Sequence, residues 1–365
     1  MKVLKINTKS KNYNIYVGHN IISKLNLIIK KEKINFKKTL IVVDKNIPKS
    51  FVKKVKSKLS SEKKLVFFFD ASERNKDLKY VNYLTEILFK NNFSRNDAIV
   101  CLGGGISGDL SAFAASIYKR GLKFINLPST LLSQVDSSIG GKTGVNNKFG
   151  KNLIGSFYQP NLVISDTKLL DSLPKREVIC GYAEIFKHSL IKNKKLFLFL
   201  NQNIQNILKL KKNIIEKIIL DSCKIKKEIV EQDENESNLR KSLNLGHTFG
   251  HAYEASLNYS KKLNHGEAVL YGILSSAKLS KKLKMLNNYD FQLILSHLSK
   301  LNFDNLNKFF TLKDVNKIVN FMIADKKNTT SKINFITLQK IGKVNINTQI
   351  NVSKVKNFIK SDLLK

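Results

Sequence analysis

The first half of the chain alternates short β-branched or apolar runs with amphipathic stretches. Lys2 to Asn7 and Asn14 to Val17, joined by a polar loop, predict a hairpin. Thr39 to Asp44, Leu65 to Asp70, Ala98 to Leu102, Phe124 to Leu127 and Leu162 to Ser165 predict further strands. Lys49 to Leu59 and Lys76 to Lys90 predict helices between them. Strand, helix, strand in this rhythm implies a parallel sheet with helices on its faces. The second half changes character, with no glycine between Gly181 and Gly246 and no proline after Pro174. Apolar residues at three- and four-residue spacing over Ile185 to Leu200, Ile204 to Val230, Thr248 to Leu257 and Gly266 to Leu283 predict a mostly helical region. Ile333 to Leu338 and Val344 to Ile350 predict a small hairpin before a last helix. The break falls near Leu170 to Pro174. The expected organisation is an α/β nucleotide-binding domain over 1–172 and a mostly α-helical metal and substrate domain over 173–365. The cleft between two such halves is the default site.

At 365 residues the chain is longer than one compact core usually takes, which fits two domains. The opening MKVLKINTKS alternates apolar and polar residues and does not read as a secretory signal. Apolar patches such as Leu196 to Leu200 are too short to cross a bilayer. Cys101, Cys180 and Cys223 are widely spaced and form no CxxC pair, which argues against a disulfide framework or a cysteine zinc knuckle. The chain is expected to be cytoplasmic, with no membrane partner.

A formal charge of +36 suggests phosphate neutralisation on nucleic acid. However, the excess is lysine scattered along the whole chain beside abundant Asn and Ile. Trp is absent, which weakens a stacking surface further. No nucleic-acid partner is expected. Against this lysine background the five arginines, Arg74, Arg95, Arg120, Arg176 and Arg240, stand out. A guanidinium fork clamps phosphate or carboxylate in a way an ammonium cannot.

Ten of the seventeen glycines lie between Gly103 and Gly155. Such a concentration implies backbone turning with positive φ or approaching a ligand closely. Ala98 to Asp109 reads as a strand, a glycine turn and a helix start, a context that aims backbone amides at a pyrophosphate. Its spacing is not G-x-G-x-x-G. Downstream, Pro128 to Asn146 and Gly150 to Gly155 crowd hydroxyls, glycines and the lysines Lys142 and Lys151, as a loop wrapping a polar ligand would.

Of six histidines, His247, His251 and His265 fall within nineteen residues. His247 and His251 are four apart, on one helix face. Glu184 offers a carboxylate oxygen. Two imidazoles and a carboxylate with an open position make a catalytic Zn²⁺ set. The spacing is not H-E-x-x-H, which disfavours a zincin protease. Lys187 shares the helix face of Glu184, and Glu236, Arg240 and Asn244 lie in a mixed-charge segment just before the first of these histidines. His19, His188 and His297 read as core or surface residues.

At these residues the sequence resembles the 3-dehydroquinate synthase family. The segments GGGISGDL, KRGLKFINLPSTLLSQVDSSIGGKTGVN, GKNLIGSFYQP, SLPKREVICGYAEIFKH, SLNLGHTFGHAYE and NHGEAV follow its pattern in order and spacing. The resemblance runs from Val43 to Lys327, with VDSSIGGKTGVN and GHTFGHAYE…HGEAV its most specific parts. It implies Zn²⁺, or Co²⁺ in its place, on Glu184, His247 and His265. It implies NAD against Asp44 and Asn46, against Ala71, Ser72, Glu73, Arg74, Asn75 and Lys76, and against Gly105, Ile106, Ser107, Gly108 and Asp109. NAD would also meet Ser129, Thr130, Lys142, Lys151 and the turn Leu169, Leu170, Asp171 and Ser172. Substrate groups would meet Asp136, Asn152, Lys187, Lys226, Arg240 and Asn244, with Arg120 reaching across a homodimer. Glu236 and His251 would handle protons, with Lys142, Lys187 and Arg240 also in the catalytic set. One of Lys326 and Lys327 would close over the substrate.

The activity so implied is a lyase of the shikimate pathway, on the route to chorismate and aromatic amino acids. It converts 3-deoxy-D-arabino-heptulosonate 7-phosphate to 3-dehydroquinate and phosphate. A transient oxidation by NAD, loss of phosphate, re-reduction and an intramolecular aldol closure make up the sequence. Other sugar-phosphate cyclases and metal-dependent polyol dehydrogenases are the enzymatic alternatives. A nucleic-acid binder on an inactive enzyme fold is the alternative of another class. The chain departs from the family pattern at Ser72, Ala112 and Asn238, where glycine is usual, and at Ser129, where threonine is. Ser129 keeps the hydroxyl. Asn tolerates positive φ, so the turn at 238 is expected to survive.

Overall fold

A computed structural model of the protein describes residues 1–301, 305–325 and 331–364. In chain order its first strands are β1 (Lys2–Asn7), β2 (Asn12–Gly18), β3 (Lys38–Asp44), β4 (Lys63–Phe69), β5 (Ala98–Gly103) and β6 (Lys123–Pro128). A separate antiparallel hairpin, β7 (Lys142–Asn147) and β8 (Gly150–Phe157), precedes β9 (Leu162–Asp166). Seven of these strands form one sheet in the order β1-β2-β9-β6-β5-β3-β4. All neighbours run parallel except the hairpin pair β1 and β2. Each predicted strand of this half is present, within two residues at its ends.

Successive strand residues point to opposite faces, and both faces here are covered. Ile41, Val43, Val100, Leu102, Ile125 and Leu127 enter one core with Val52 and Val55 of the helix Lys49–Lys58. Leu40, Val42, Ile99, Cys101 and Phe124 enter the other, with Val81, Leu84 and Leu88 of the helix Leu78–Lys90. Burial on both sides explains why the strands read as unbroken apolar runs. From β3 the chain crosses to β4 on one side, and from β5 to β6 on the other. The carboxyl ends of β3 and β5 therefore flank the switch point, where an open α/β sheet leaves a crevice for a ligand.

The chain forms two compact units, 1–178 with 210–235, and 179–209 with 236–365. The segment 210–235, which a single cut after residue 172 assigns to the second domain, packs in the first unit. The second unit contains most of the helix Lys175–Lys192, then Lys194–Leu208, His247–Ser256, His265–Lys282, Asn288–Ser299 and Val315–Asp325. The hairpin β10 (Lys332–Lys340) and β11 (Lys343–Asn351) and the helix Val352–Phe358 complete it. Phe249, Tyr253, Phe310, Ile318, Met322 and Phe335 lie at its core.

Two helical stretches differ from the periodic pattern. Ile185 to Leu200 is split at Asn193, whose side chain caps the helix Lys194–Leu208 by accepting from the Leu196 amide. Ile204 to Val230 is interrupted at 209–211, where Leu210 has φ 53°, before the helix Lys212–Gln232. The three cysteines are buried, and none forms a disulfide. Burial pushes the Cys101 and Cys223 thiols up to about 12. No helix among the described residues is long and apolar enough to cross a membrane.

Candidate metal and dinucleotide sites

In the second unit, close helix packing brings the candidate ligand side chains together. Gly266, one residue after His265, lies so near the helix Lys175–Lys192 that an added Cβ would stand 2.1 Å from Cys180 Cα. An added Cβ at Gly272 would stand 2.0 Å from the Gly246 carbonyl oxygen, immediately before His247. Only glycine permits these approaches. His265 opens its helix inside a capping box: the Asn264 side chain accepts from the Glu267 amide, and the Glu267 carboxylate from the Asn264 amide.

Glu184, His247 and His265 place one donor atom each within 4.8 Å of one another. Nε2 of His247 is 3.6 Å from Glu184 Oε1, and Nε2 of His265 is 4.0 Å from it. Nδ1 of His247 faces the Leu245 carbonyl at 3.3 Å, and Nδ1 of His265 faces Glu254 Oε2 at 3.0 Å. With Nδ1 engaged on both rings, Nε2 is the nitrogen each turns toward Glu184. Ligating histidines ordinarily use their two nitrogens in this way. Glu184 is 1 % exposed; Oε2 forms an ion pair with buried Lys187, and neither carboxylate oxygen accepts a directed hydrogen bond. A buried carboxylate with unused acceptor capacity beside two oriented imidazoles fits a divalent cation with an open position.

Burial holds the His247 pKa well below its ordinary value, and Lys187, His251 and His265 add to this. Burial also works to lower that of His265, but the hydrogen bond and charge of Glu254, with Glu184, raise it. His251 lies beside both, its ring centre 5.1 Å from that of His247. Glu236 adopts φ 59°, a conformation uncommon for a non-glycine residue, and accepts from Asn244 Nδ2 at 3.1 Å. Arg240 is buried at 2 % exposure, and Asn244 ends its 3-10 turn. Asn238 has φ −145°, so the left-handed turn expected there is instead taken two residues earlier, by Glu236. Lys326 and Lys327 lie outside the described residues. His297 is a core residue, stacked on Phe186 and hydrogen-bonded to Tyr182, with burial lowering its pKa to about 3.

In the first unit, β5 runs through Gly103 and Gly104 into the helix Gly105–Ile117. Added Cβ atoms would stand 2.6 Å from Ser107 Cβ at Gly103 and 3.0 Å from Ser137 Oγ at Gly105. The amides that start this helix carry no side-chain cap, which leaves a positive helix end at the switch point. Asp44 ends β3 beside Gly103 and accepts from the Asn46 amide and side chain; burial raises its pKa. Buried Lys76 donates to Asp109 Oδ2 and Asn152 Oδ1, each at 2.6 Å. Burial raises the Asp109 pKa, with Lys76 opposing. Asn152 has φ 55°.

Ser72 is extended, at φ −132°, so replacing the family glycine there imposes no strain. The hairpin β7–β8 ties to the segment 71–76. Asn146 donates to Glu73, its amide donates to the Lys76 carbonyl, and Lys151 lies 3.5 Å from Glu73. Ser129 is buried after β6, and Thr130 pairs with Ser133. Lys226 pairs with Asp136 Oδ1 at 2.7 Å. Arg74, Lys142, Asp171, Ser172 and Arg120 are exposed, the last at φ 65°. Leu169 and Leu170 are buried, and Leu169 packs in the core beneath β9, so the solvent-facing side chains of this turn are Asp171 and Ser172.

Residues 66–180 match the model of the 3-dehydroquinate synthase N-terminal family, and residues 181–328 that of its C-terminal family. A 3-dehydroquinate synthase of Pelagibacter ubique is 55 % identical over 363 residues, 99 % of each chain. The chain belongs to the 3-dehydroquinate synthase family. Another synthase of this name, from Alkaliphilus metalliredigens, is 39 % identical over 92 % of each chain. Among solved structures, 2-deoxy-scyllo-inosose synthase complexed with carbaglucose-6-phosphate, NAD⁺ and Co²⁺ aligns with a TM-score of 0.89 at 25 % identity, covering 98 % of this chain and 99 % of that one. An iron-containing alcohol dehydrogenase at 16 % identity, with a TM-score of 0.68 over 95 % and 96 %, shares the fold alone.

Glu254 was not among the residues the family pattern brought forward. Its signal was present in GHTFGHAYE, where it follows His247 by seven positions and so shares that helix face.

Proposed function

We infer that the chain is a metal- and NAD-dependent 3-dehydroquinate synthase acting on 3-deoxy-D-arabino-heptulosonate 7-phosphate. The observation that carries this is the full-length 55 % identity to a synthase of that name, joined to the Glu184, His247 and His265 set, in which the carboxylate is buried. We assign that set to Zn²⁺ or Co²⁺, NAD to the unit 1–178 with 210–235, and the metal to the unit 179–209 with 236–365. Bound together, the dinucleotide supplies reversible hydride transfer and the metal polarises a substrate oxygen.

The chain's own part is orientation and charge. The bare amides at Gly105 and the following turn receive the pyrophosphate, with Asp44 beside them on the ribose side. Asp136, Asn152, Lys187, Lys226, Arg240 and Asn244 bind the carboxylate, hydroxyl and phosphate groups of an acidic phosphorylated substrate. His251, one turn beyond His247, and Glu236, fixed by Asn244, move protons during elimination and ring closure. Three buried cysteines without a disulfide agree with a reducing, cytoplasmic setting.

Phosphate release from the heptulosonate phosphate by chelator-stripped protein tests the reading. Release that requires both NAD and zinc, forms dehydroquinate and leaves no net NADH is expected. Net NADH would instead indicate a polyol dehydrogenase. Bound NAD without any reaction would indicate another sugar-phosphate cyclase.

Arg240→Lys keeps the buried charge but loses the planar fork. A charge-assisted hydrogen bond contributes about 1.5–3 kcal/mol, so kcat/KM is expected to fall about ten- to hundredfold. An unchanged kcat/KM would remove Arg240 from the substrate contacts.

We also propose a homodimer in which Arg120 serves the partner's site. Arg120 is exposed, and Leu153 and Phe157 present an exposed apolar face on β8, with Phe149 beside it. Mixing Arg120→Ala with Glu184→Gln, each inactive alone, restores activity if Arg120 acts across subunits. If it acts within its own chain, no mixture recovers.

A further inference from the structure

We propose that Glu254 is a positioning residue that orients His265 for the metal and balances its charge without taking a coordination position. This rests on the reading of Glu184, His247 and His265 as ligands. Glu254 lies on the helix His247–Ser256, seven residues after His247 and three after His251, so the three share one face. It is 7 % exposed, and Oε2 accepts from His265 Nδ1 at 3.0 Å. A carboxylate that takes the N–H of one ring nitrogen fixes the tautomer whose lone pair lies on the other, here the Nε2 turned toward Glu184.

The two imidazoles are not held alike. His247 has a side chain 13 % exposed, and its Nδ1 faces a neutral carbonyl. The His265 side chain is 35 % exposed, so surrounding atoms restrain its ring less and the Glu254 bond has more of the orienting to do. Charge points the same way. One carboxylate and two neutral imidazoles offset only one of the two charges on a divalent ion, and buried Lys187 beside Glu184 adds positive charge. Glu254 brings a further negative charge through a hydrogen bond, which leaves positions on the metal open for substrate oxygens. The donor atoms of His251, Glu254 and His265 also lie within 4.8 Å of one another, so the rival arrangement is Glu254 as a ligand of a second ion.

The test uses full-length protein with Glu254→Ala, Glu254→Gln, His265→Ala and the Glu254→Ala/His265→Ala pair. Zinc affinity is measured by competition with a chromophoric chelator, metal content by stoichiometry, and geometry by the visible bands of the Co²⁺ form. One ion per chain is expected in the unsubstituted protein. Glu254→Ala should weaken zinc about ten- to hundredfold and shift the cobalt bands. Glu254→Gln should fall between the unsubstituted protein and Glu254→Ala, because its amide oxygen accepts the same N–H but carries no charge. Adding Glu254→Ala to His265→Ala should cost nothing more. Should Glu254→Ala not fold, Glu254→Met, of similar length and without an oxygen acceptor, takes its place. Unchanged affinity and cobalt bands, or an undiminished further loss on the His265→Ala background, would overturn the proposal. Two ions per chain falling to one would overturn it in favour of a ligand role. Zinc binding indifferent to Glu184→Gln and His247→Ala would instead overturn the ligand assignment on which it rests.

Discussion

Replacing Glu184 with Gln is expected to lower turnover about a thousandfold or more and to abolish the stabilisation of the protein by zinc. The side chain is buried, its Oε1 faces Nε2 of both His247 and His265, and it is the one carboxylate of the proposed ligand set. The amide keeps the shape and removes the charge that a divalent cation needs from that set. Metal polarisation of a substrate oxygen is worth several kcal/mol at the transition state, and about 4 kcal/mol corresponds to a thousandfold in rate. Lys187 complicates the reading, because it is buried against Glu184. Removing one partner of a buried ion pair costs about 3–5 kcal/mol when nothing replaces it, and less where an amide oxygen still accepts. Activity and stability must therefore be read apart. Zinc at a thousand times its Kd adds about 4 kcal/mol to the unsubstituted protein. In Glu184→Gln that increment should vanish, whatever the baseline stability. A variant that still gains stability on adding zinc and still turns over would exclude Glu184 as a ligand.

Much of this site was legible because its parts are local in sequence. His247 and His251 lie within one helix turn, Glu184 and Lys187 within another, and His265 stands directly before the periodic stretch Gly266 to Leu283. The sheet was equally legible, since strands buried on both faces leave apolar runs that resemble little else. What escaped depends on long-range pairing. The hairpin β7–β8 lies in the glycine-rich stretch read as a ligand-wrapping loop. Gly144 and Gly155 face each other there so closely that a Cβ on Gly155 would stand 2.0 Å from the Thr143 carbonyl oxygen. Some of those glycines thus serve strand pairing, and periodicity offers no sign of it. The assignment of 210–235 to the first unit was likewise hidden, because an amphipathic helix shows that it has an apolar face but not what covers that face. Glu254 was visible as a helix-face neighbour of His247. Its contact with His265 depends on how two helices meet, which spacing within one helix does not reveal.

That meeting of helices is what Gly272→Ala should break. Glycine in a helix interior ordinarily costs up to about 1 kcal/mol relative to alanine, so on propensity alone the substitution should stabilise. Here the new methyl would stand 2.0 Å from the Gly246 oxygen and 2.9 Å from the Gly250 amide nitrogen. Both are backbone atoms, so no side chain can swing aside to make room. The helices His247–Ser256 and His265–Lys282 must separate, and overpacking of this kind costs about 3 kcal/mol or more. Separation also moves His247, next to Gly246, away from His265, which begins the helix that carries Gly272. Denaturant unfolding should show the stability loss, and chelator competition a weakened zinc site, in the same variant. Gly108→Ala supplies the contrast, because its added Cβ meets nothing nearer than Asn126 at 3.5 Å. That change should leave stability unaltered or slightly raised. Equal stability of both variants would mean that the helix pair can relax around a methyl, and that close glycine packing is not what holds the two histidines in reach of one ion.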